Sequence, residues 1–304
     1  MPELPEVETI ARGLNHRVAG DVIESVWLGS KPEPLKSPAA EIAATLESRS
    51  IARVRRVGKH IVVDLELANV ARAQSRAKGS KKNAVLTGRK KKFANRRSDL
   101  TRSQGKAAGQ WIVHLGMTGR LLVCEPDAEI MKHTHAVVKL ASGRELRFVD
   151  PRRFGRLSVT HDFEAGGFEP LEVELDKFVS LFRGRKTPIK SAFLNQKLLS
   201  GVGNIYADES LFRAGIRPRR RAASLTSEEL RRLYLSLKEV LQEAISLGGS
   251  SVSDYVDADG EEGFFQLQHR VYGREAEPCL VCKTPIKRIV ITGRSSHYCP
   301  KCQR

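Results

Sequence analysis

Two residues at the start of the chain carry the most distinctive chemistry. The sequence opens Met1-Pro2-Glu3-Leu4-Pro5-Glu6-Val7-Glu8. Removal of the initiator methionine, which a small second residue such as Pro2 permits, leaves a secondary amine as the chain terminus. An α-amino group titrates near pH 8, against about 10.4 for a lysine, so far more of it is neutral and nucleophilic at pH 7. A secondary amine attacking the anomeric carbon of a sugar gives a permanently charged iminium, an electron sink that eases β-elimination of phosphate. Glu3 sits beside it and can act as an acid toward the sugar ring oxygen; Glu6 is one turn away. Proline at position 2 is also common, and acids near a helix start also offset the dipole, so the pair by itself leaves both readings open.

The second chemical feature is a cluster of thiols. Four of the five cysteines form two C-x-x-C knuckles, Cys279-Leu280-Val281-Cys282 and Cys299-Pro300-Lys301-Cys302. The spacing matches one tetrahedral zinc ion with four thiolates, and such a site has no open position, so its role is structural. An iron site or two disulfides are the competing readings. Ile286 to Thr292 is β-branched and Gly293-Arg294-Ser295 supplies a turn, so the metal pins a β-hairpin. Its tip carries Arg294 beside Lys287 and Arg288, suited to a phosphate backbone. Cys124 stands alone in an apolar stretch and reads as a buried core thiol.

These groups need elements to place them. Pro5 suits the first turn of a helix, and Val7, Ile10, Ala11 and Leu14 then share one face. From His60 to Leu67, Ile61, Val63, Leu65 and Leu67 alternate, which predicts a half-buried strand. Gln110–Leu115, Arg120–Cys124, Ala136–Leu140, Glu145–Val149 and Leu157–Thr160 read similarly, with Gly-containing turns between them: an antiparallel sandwich or barrel. Asp162–Pro170 contains Gly166-Gly167 and reads as a linker. Beyond it Leu175, Phe178, Val179 and Phe182 form a helical stripe. Thr226-Ser227-Glu228-Glu229 is a capping box opening a helix that stops at Gly248-Gly249.

The chain has 304 residues, room for two modest domains, and 52 Lys and Arg against 35 Asp and Glu give a net charge of +17. That balance suits a polyanion, nucleic acid being the commonest, but charge alone does not separate DNA from RNA or an anionic membrane surface. Residues 68–109 hold 13 Lys and Arg and one acid, Asp99. Such a segment cannot bury enough apolar surface to offset its ordering entropy, so it reads as a flexible basic insertion between two strands. No apolar run approaches the roughly 18 residues that span a bilayer. The acidic, proline-bearing start is neither a secretory signal nor a transit peptide, and the expected location is cytoplasmic.

Several short motifs then follow one another in order: Pro2-Glu3-Leu4-Pro5-Glu6-Val7-Glu8-Thr9, Val57-Gly58-Lys59, His114-Leu115-Gly116-Met117 and Asp150-Pro151-Arg152-Arg153-Phe154-Gly155. Gly201-Val202-Gly203-Asn204-Ile205-Tyr206-Ala207-Asp208-Glu209 and Val271-Tyr272-Gly273-Arg274 precede the cysteine tail. Together they resemble the formamidopyrimidine-DNA glycosylases, over nearly the whole chain outside residues 68–109. The resemblance implies an α+β fold: an N-terminal antiparallel β-sandwich domain with flanking helices, a helical helix–two-turn–helix domain and a C-terminal zinc β-hairpin. The expected divisions are 1–161 for the catalytic domain, 162–173 for the linker, 174–266 for the helix–two-turn–helix domain and 267–304 for the zinc-finger hairpin.

It also implies a function. The chain would be a bifunctional DNA glycosylase/AP lyase of base excision repair, removing 8-oxoguanine and formamidopyrimidines through a Schiff base at Pro2 and nicking by β,δ-elimination. Pro2 would be the nucleophile, Glu3 the general acid and base, and Lys59 a charged contact to phosphates flanking the lesion. Asn204 and Arg294 would clamp the phosphates around the flipped nucleotide. Met117, Arg152 and Phe154 would enter the duplex to fill the vacated stack, with Arg152 bonding the orphaned base, cytosine by preference, and His114 also on the DNA. Glu6, Ser250, Val252 and Tyr255 would read the lesion. Left open are Met117 as core, Arg152 paired with Asp150, and Asn204 as an N-cap.

The lesion-reading loop departs from the family where Ser253 stands in place of the basic residue that many members carry, which bears on selectivity. The insertion after Leu67 replaces a short turn and is expected to add non-specific DNA affinity. One structural zinc ion, double-stranded DNA as the partner, a monomer and no obligate protein partner complete the expectation. The alternatives are an endonuclease VIII-type relative acting on oxidised pyrimidines, and a non-catalytic zinc DNA-binding protein.

Overall fold

The computed structural model describes residues 1–68, 108–251, 256–258 and 260–304. All of the basic insertion except its ends lies outside these residues. Helix α1, Leu4–Val18, begins with Glu3 as N-cap, in a capping box closed by Glu6. Behind it come β1 (Ile23–Leu28), α2 (Ala39–Leu46), β2 (Arg49–Val57) and β3 (His60–Leu67), then β4 (Gly109–His114), β5 (Arg120–Cys124), β6 (Thr134–Leu140), β7 (Glu145–Val149) and β8 (Arg156–Thr160). They make two four-stranded antiparallel sheets, ordered β1-β6-β7-β5 and β2-β3-β4-β8. Val7, Ile10, Ala11 and Leu14 of α1 share one core with Ile61, Val63, Trp111, Val113, Leu121 and Phe148 from both sheets.

The second unit is helical: α3 (Leu175–Phe182), α4 (Ile189–Phe193), α5 (Asn204–Arg213) and α6 (Ser227–Ser246). The expected box is present at α6, where Thr226 accepts from the Glu229 N–H and Glu229 from the Thr226 N–H. Leu4 belongs to the core of this unit, while its neighbours one turn on belong to the sandwich. Helix α1 therefore rivets the two units at its first turn, and the chain terminus lies in the seam. Last comes the hairpin of β9 (Lys287–Ile291) and β10 (Arg294–Tyr298).

Four elements were not legible: β1, α2, β2 and α4. In β2 a register shift between Ile51 and Arg53 breaks the two-residue period. Its arginines are held by carboxylates, Arg55 by Asp64 and Arg56 by Glu8 and Glu169. Cys124 is only partly buried at the end of β5, so the core-thiol expectation fails. Lys287 pairs with Tyr298 at the far end of the hairpin ladder, not beside Arg294, whose partner is Ile291. No helix among the described residues is long and apolar enough to cross a membrane.

Candidate active site and nucleic-acid interface

Met1 is 47% exposed whereas Pro2 is buried. The backbone behind it is fixed: the Leu4 N–H donates to the Gly201 carbonyl across the seam. Glu3, 4% exposed, turns its carboxylate to the first turn of α5, where Oε1 accepts the Ile205 N–H at 3.1 Å and Oε2 the Tyr206 N–H at 3.5 Å. Orphan amides and the positive end of the dipole make that a natural seat for an anion. Burial nevertheless dominates and pushes the Glu3 pKa up to about 7, against the pull of Lys59 and the two amides and with the push of Glu6. A carboxyl poised near neutrality can both give and take a proton.

Glu6 is buried and fully engaged. It accepts from the Glu3 N–H at 2.8 Å, the Ser250 N–H at 2.8 Å and the Tyr206 hydroxyl. Burial raises its pKa. Glu6 thus joins α1 to α5 and to the start of the loop that follows Gly249. Ser250 is further held by its hydroxyl, 3.1 Å from Nε2 of a buried His269 whose pKa burial lowers to about 4. Val252, Ser253 and Tyr255 lie outside the described residues.

Lys59 occupies the turn between β2 and β3 and is 8% exposed. Burial lowers its pKa; Glu3 opposes this and the charge of Arg294 adds to it, so Glu3, Lys59 and Arg294 share one electrostatic site. The turn is latched from the linker: Glu169 accepts the Gly58 N–H at 2.6 Å and Arg56 Nη1 at 2.7 Å, while Arg56 Nε reaches Glu8 at 2.8 Å.

The expected duplex-entering residues occupy two adjoining loops. Met117 is 41% and Phe154 52% exposed, which excludes a core role for Met117. The Arg152 guanidinium lies 4.9 Å over the Phe154 ring, and only its backbone N–H faces Asp150, so the side-chain pairing with Asp150 is absent. Gly116 has a φ of +64°, and a Cβ there would fall 2.5 Å from the Phe154 carbonyl carbon, so the loops pack backbone to backbone. His114 accepts the Gly116 N–H on Nδ1 at 3.1 Å. Burial, then His60, Arg156 and Lys59, hold its pKa down to about 4. His114 is therefore neutral at pH 7 and supports the Met117 turn; it adds no charge for phosphate.

Asn204 is the first residue of α5 and Gly203 is the N-cap, so the simple N-cap reading of Asn204 fails. Its side chain bonds the Tyr272 hydroxyl, while Oδ1 is buried without a hydrogen-bond partner among the described residues. The adjoining acids dock the tail. Asp208 takes the buried Lys190 at 2.6 Å and the His297 N–H at 2.9 Å; Glu209 accepts from the N–H groups of Arg270, Val271 and Tyr272. Arg294, exposed at the hairpin tip, is thereby brought to the seam.

Three successive family models match the chain in order. Residues 1–157 match the formamidopyrimidine-DNA glycosylase N-terminal domain, 167–256 its H2TH domain, and 276–304 the zinc finger found in FPG and IleRS. The chain belongs to the formamidopyrimidine-DNA glycosylase family. Full-length relatives named formamidopyrimidine-DNA glycosylase are 41% identical in Solibacter usitatus and 38% in Gluconobacter oxydans, each match covering 100% of both chains. The MutM (Fpg) crystal structure from Thermus thermophilus superposes with a TM-score of 0.77 at 38% identity, covering 99% of this chain and 98% of that one. A complex between Lactococcus lactis Fpg and an abasic site containing DNA gives 0.79 at 28% identity, covering 99% of each.

The formamidopyrimidine-DNA glycosylase zinc finger is present here in full. The Sγ atoms of Cys279, Cys282, Cys299 and Cys302 all lie within 4.8 Å of one another, and none is in a disulfide. Tetrahedral Zn–S bonds of about 2.3 Å place sulfurs about 3.8 Å apart. Cys279–Cys302 at 3.9 Å and Cys282–Cys299 at 3.4 Å fit that separation. The tail holds one zinc ion, and four thiolates leave it no open position. Asp150, Glu169, Asp208, Glu209 and His269 also organise the site but were not singled out in advance; each acts on an element distant in sequence.

Proposed function

We propose that this member of the family excises oxidised purines, 8-oxoguanine and formamidopyrimidines, from duplex DNA and then nicks the strand. The Glu3 carboxyl carries the reading: it is buried against the α5 amides, poised near neutrality and covalently next to Pro2. After Met1 is lost, the Pro2 nitrogen attacks C1′ and the N-glycosidic bond breaks with its electron pair leaving on the base. Glu3 protonates the ring oxygen, the ring opens, and an iminium links Pro2 to C1′. Loss of a C2′ proton then expels the 3′ phosphate, and a second elimination expels the 5′ phosphate.

Lys59, Asn204 and Arg294 hold the phosphates around the flipped nucleotide. Met117 and Phe154 fill the vacated stack, and Arg152 bonds the orphaned base. Glu6 and Ser250 anchor the surface that meets the lesion, with Val252 and Tyr255 contributing from the loop. The protein works as a monomer in the cytoplasm, in keeping with free cysteines and a reducing compartment. Paired excision assays on duplexes carrying 8-oxoguanine or thymine glycol test the substrate class. Faster excision of the purine is expected; faster excision of thymine glycol would overturn it.

A further inference from the structure

Asp150 follows β7 and is completely buried. Its Oδ1 accepts the Thr118 hydroxyl at 2.6 Å and the Arg152 N–H at 3.3 Å, and its Oδ2 accepts the Gly155 N–H at 2.7 Å. Thr118 follows Met117 and Gly155 follows Phe154, so one carboxylate grips the chain at or beside each of the three residues assigned to the duplex. Its own backbone is fixed too, by the His133 carbonyl at 3.0 Å and by His135 Nε2 at 2.9 Å. The chain at Gly155 packs tightly here: a Cβ would lie 3.1 Å from Oδ2 and 2.5 Å from the Phe148 ring.

We propose that Asp150 is a positioning residue that sets Met117, Arg152 and Phe154 as one rigid comb, and that it thereby determines how strictly the base opposite the lesion is read. This rests on the duplex-entering roles proposed above. Discrimination by a guanidinium depends on its hydrogen-bond geometry to a base edge. Arg152 has no side-chain anchor besides the Phe154 ring among the described residues, so its aim is inherited from the backbone that Asp150 holds. A carboxylate suits the position because all three groups that face it are donors. An asparagine would turn an N–H₂ toward at least one of them.

The test is the ratio of kcat/KM for 8-oxoguanine opposite cytosine to that opposite adenine. Asp150→Asn is expected to narrow the ratio on the order of tenfold. Thr118→Val removes one grip and preserves shape, so it is informative even where Asp150→Asn fails to fold; it should narrow the ratio about threefold, and Thr118→Ser should restore it. Both rates falling in parallel at an unchanged ratio, or Thr118→Ser behaving like Thr118→Val, would overturn the proposal. A wild-type protein that incises neither duplex would instead sink the functional reading on which it rests.

Discussion

Gly203 and Glu3 occupy one space: a Cβ at position 203 would fall 2.2 Å from the Glu3 carboxyl carbon. The glycine is what lets the N-cap residue of the first helix sit on the amides of α5, about two hundred positions away. Gly203→Ala must expel that carboxyl or shift α5. The cost to stability is about 1–3 kcal/mol. The loss of rate is expected to be on the order of a hundredfold or more, because the group proposed as proton donor is displaced. Single-turnover excision measured beside thermal unfolding separates the two effects.

The raised pKa of Glu3 makes a pH-dependent prediction. Its ordinary value is 4.5, and the folded protein holds the proton up to about 7. The stability linked to that proton is complete below 4.5 and is lost as pH rises through about 7. Glu3→Gln carries no charge to bury. It should therefore stabilise the fold at pH 8, on the order of 1–3 kcal/mol, with a smaller gain at pH 5, while excision collapses. Thermal melts at the two pH values check this, and a gain equal at both would contradict it.

Glu169 latches the Lys59 turn through the Gly58 N–H and Arg56. Glu169→Gln leaves Arg56 with the Glu8 carboxylate and the Gly58 carbonyl. A loss of about 1–3 kcal/mol in stability and roughly tenfold in excision is expected. Lys59 being positioned by this latch, the double variant Glu169→Gln/Lys59→Ala should lose little more activity than Lys59→Ala. Fully multiplicative losses would show that the latch does not act through Lys59.

How much of this was legible depends on whether the signal was local. The α6 capping box, the strand β3 and the cysteine knuckles are each read locally, and each is present, although the alternation in β3 holds only for Ile61, Val63 and Leu65: Val62 is buried as well and Leu67 is exposed. The first-turn acids, Lys59 and the two exposed loops were legible because their motifs are short and contiguous. Asp150, Glu169, Asp208 and Glu209 are different. Glu169, Asp208 and Glu209 satisfy amides or cations of another element, and Asp150 reaches Thr118 on another loop besides its own neighbours Arg152 and Gly155; nothing in the local sequence announces the distant partners. His114 adds a detail that its motif did not carry: burial beside His60 holds its pKa down to about 4, so any contact it makes is that of a neutral imidazole.

Stripping zinc with a chelator should free the hairpin and with it Arg294, since only Phe212, Val271, Cys279, Ile286 and Cys299 form its buried core among the described residues. DNA affinity is expected to fall on the order of a hundredfold while the sandwich stays folded. Circular dichroism and a binding titration on the same sample check this; unchanged affinity in the stripped protein would contradict it.

The basic insertion is rooted where Leu65 pairs with Gly109, at the opposite end of the β3–β4 ladder from His60, Lys59 and the site. Deleting residues 70–107 should leave turnover of bound substrate unchanged. It should weaken binding to undamaged duplex and flatten its dependence on salt. An unaltered salt slope would show that its 13 cations release no counterions.

The central claim is that the chain's own Pro2 nitrogen is the nucleophile. Borohydride trapping on a duplex holding 8-oxoguanine opposite cytosine, with untagged protein and mass-spectrometric mapping, tests it directly. A covalent adduct on Pro2 is the predicted result, absent when Met1 is retained. An adduct on a lysine such as Lys59, or none on this duplex or on a plain abasic site, would contradict the account.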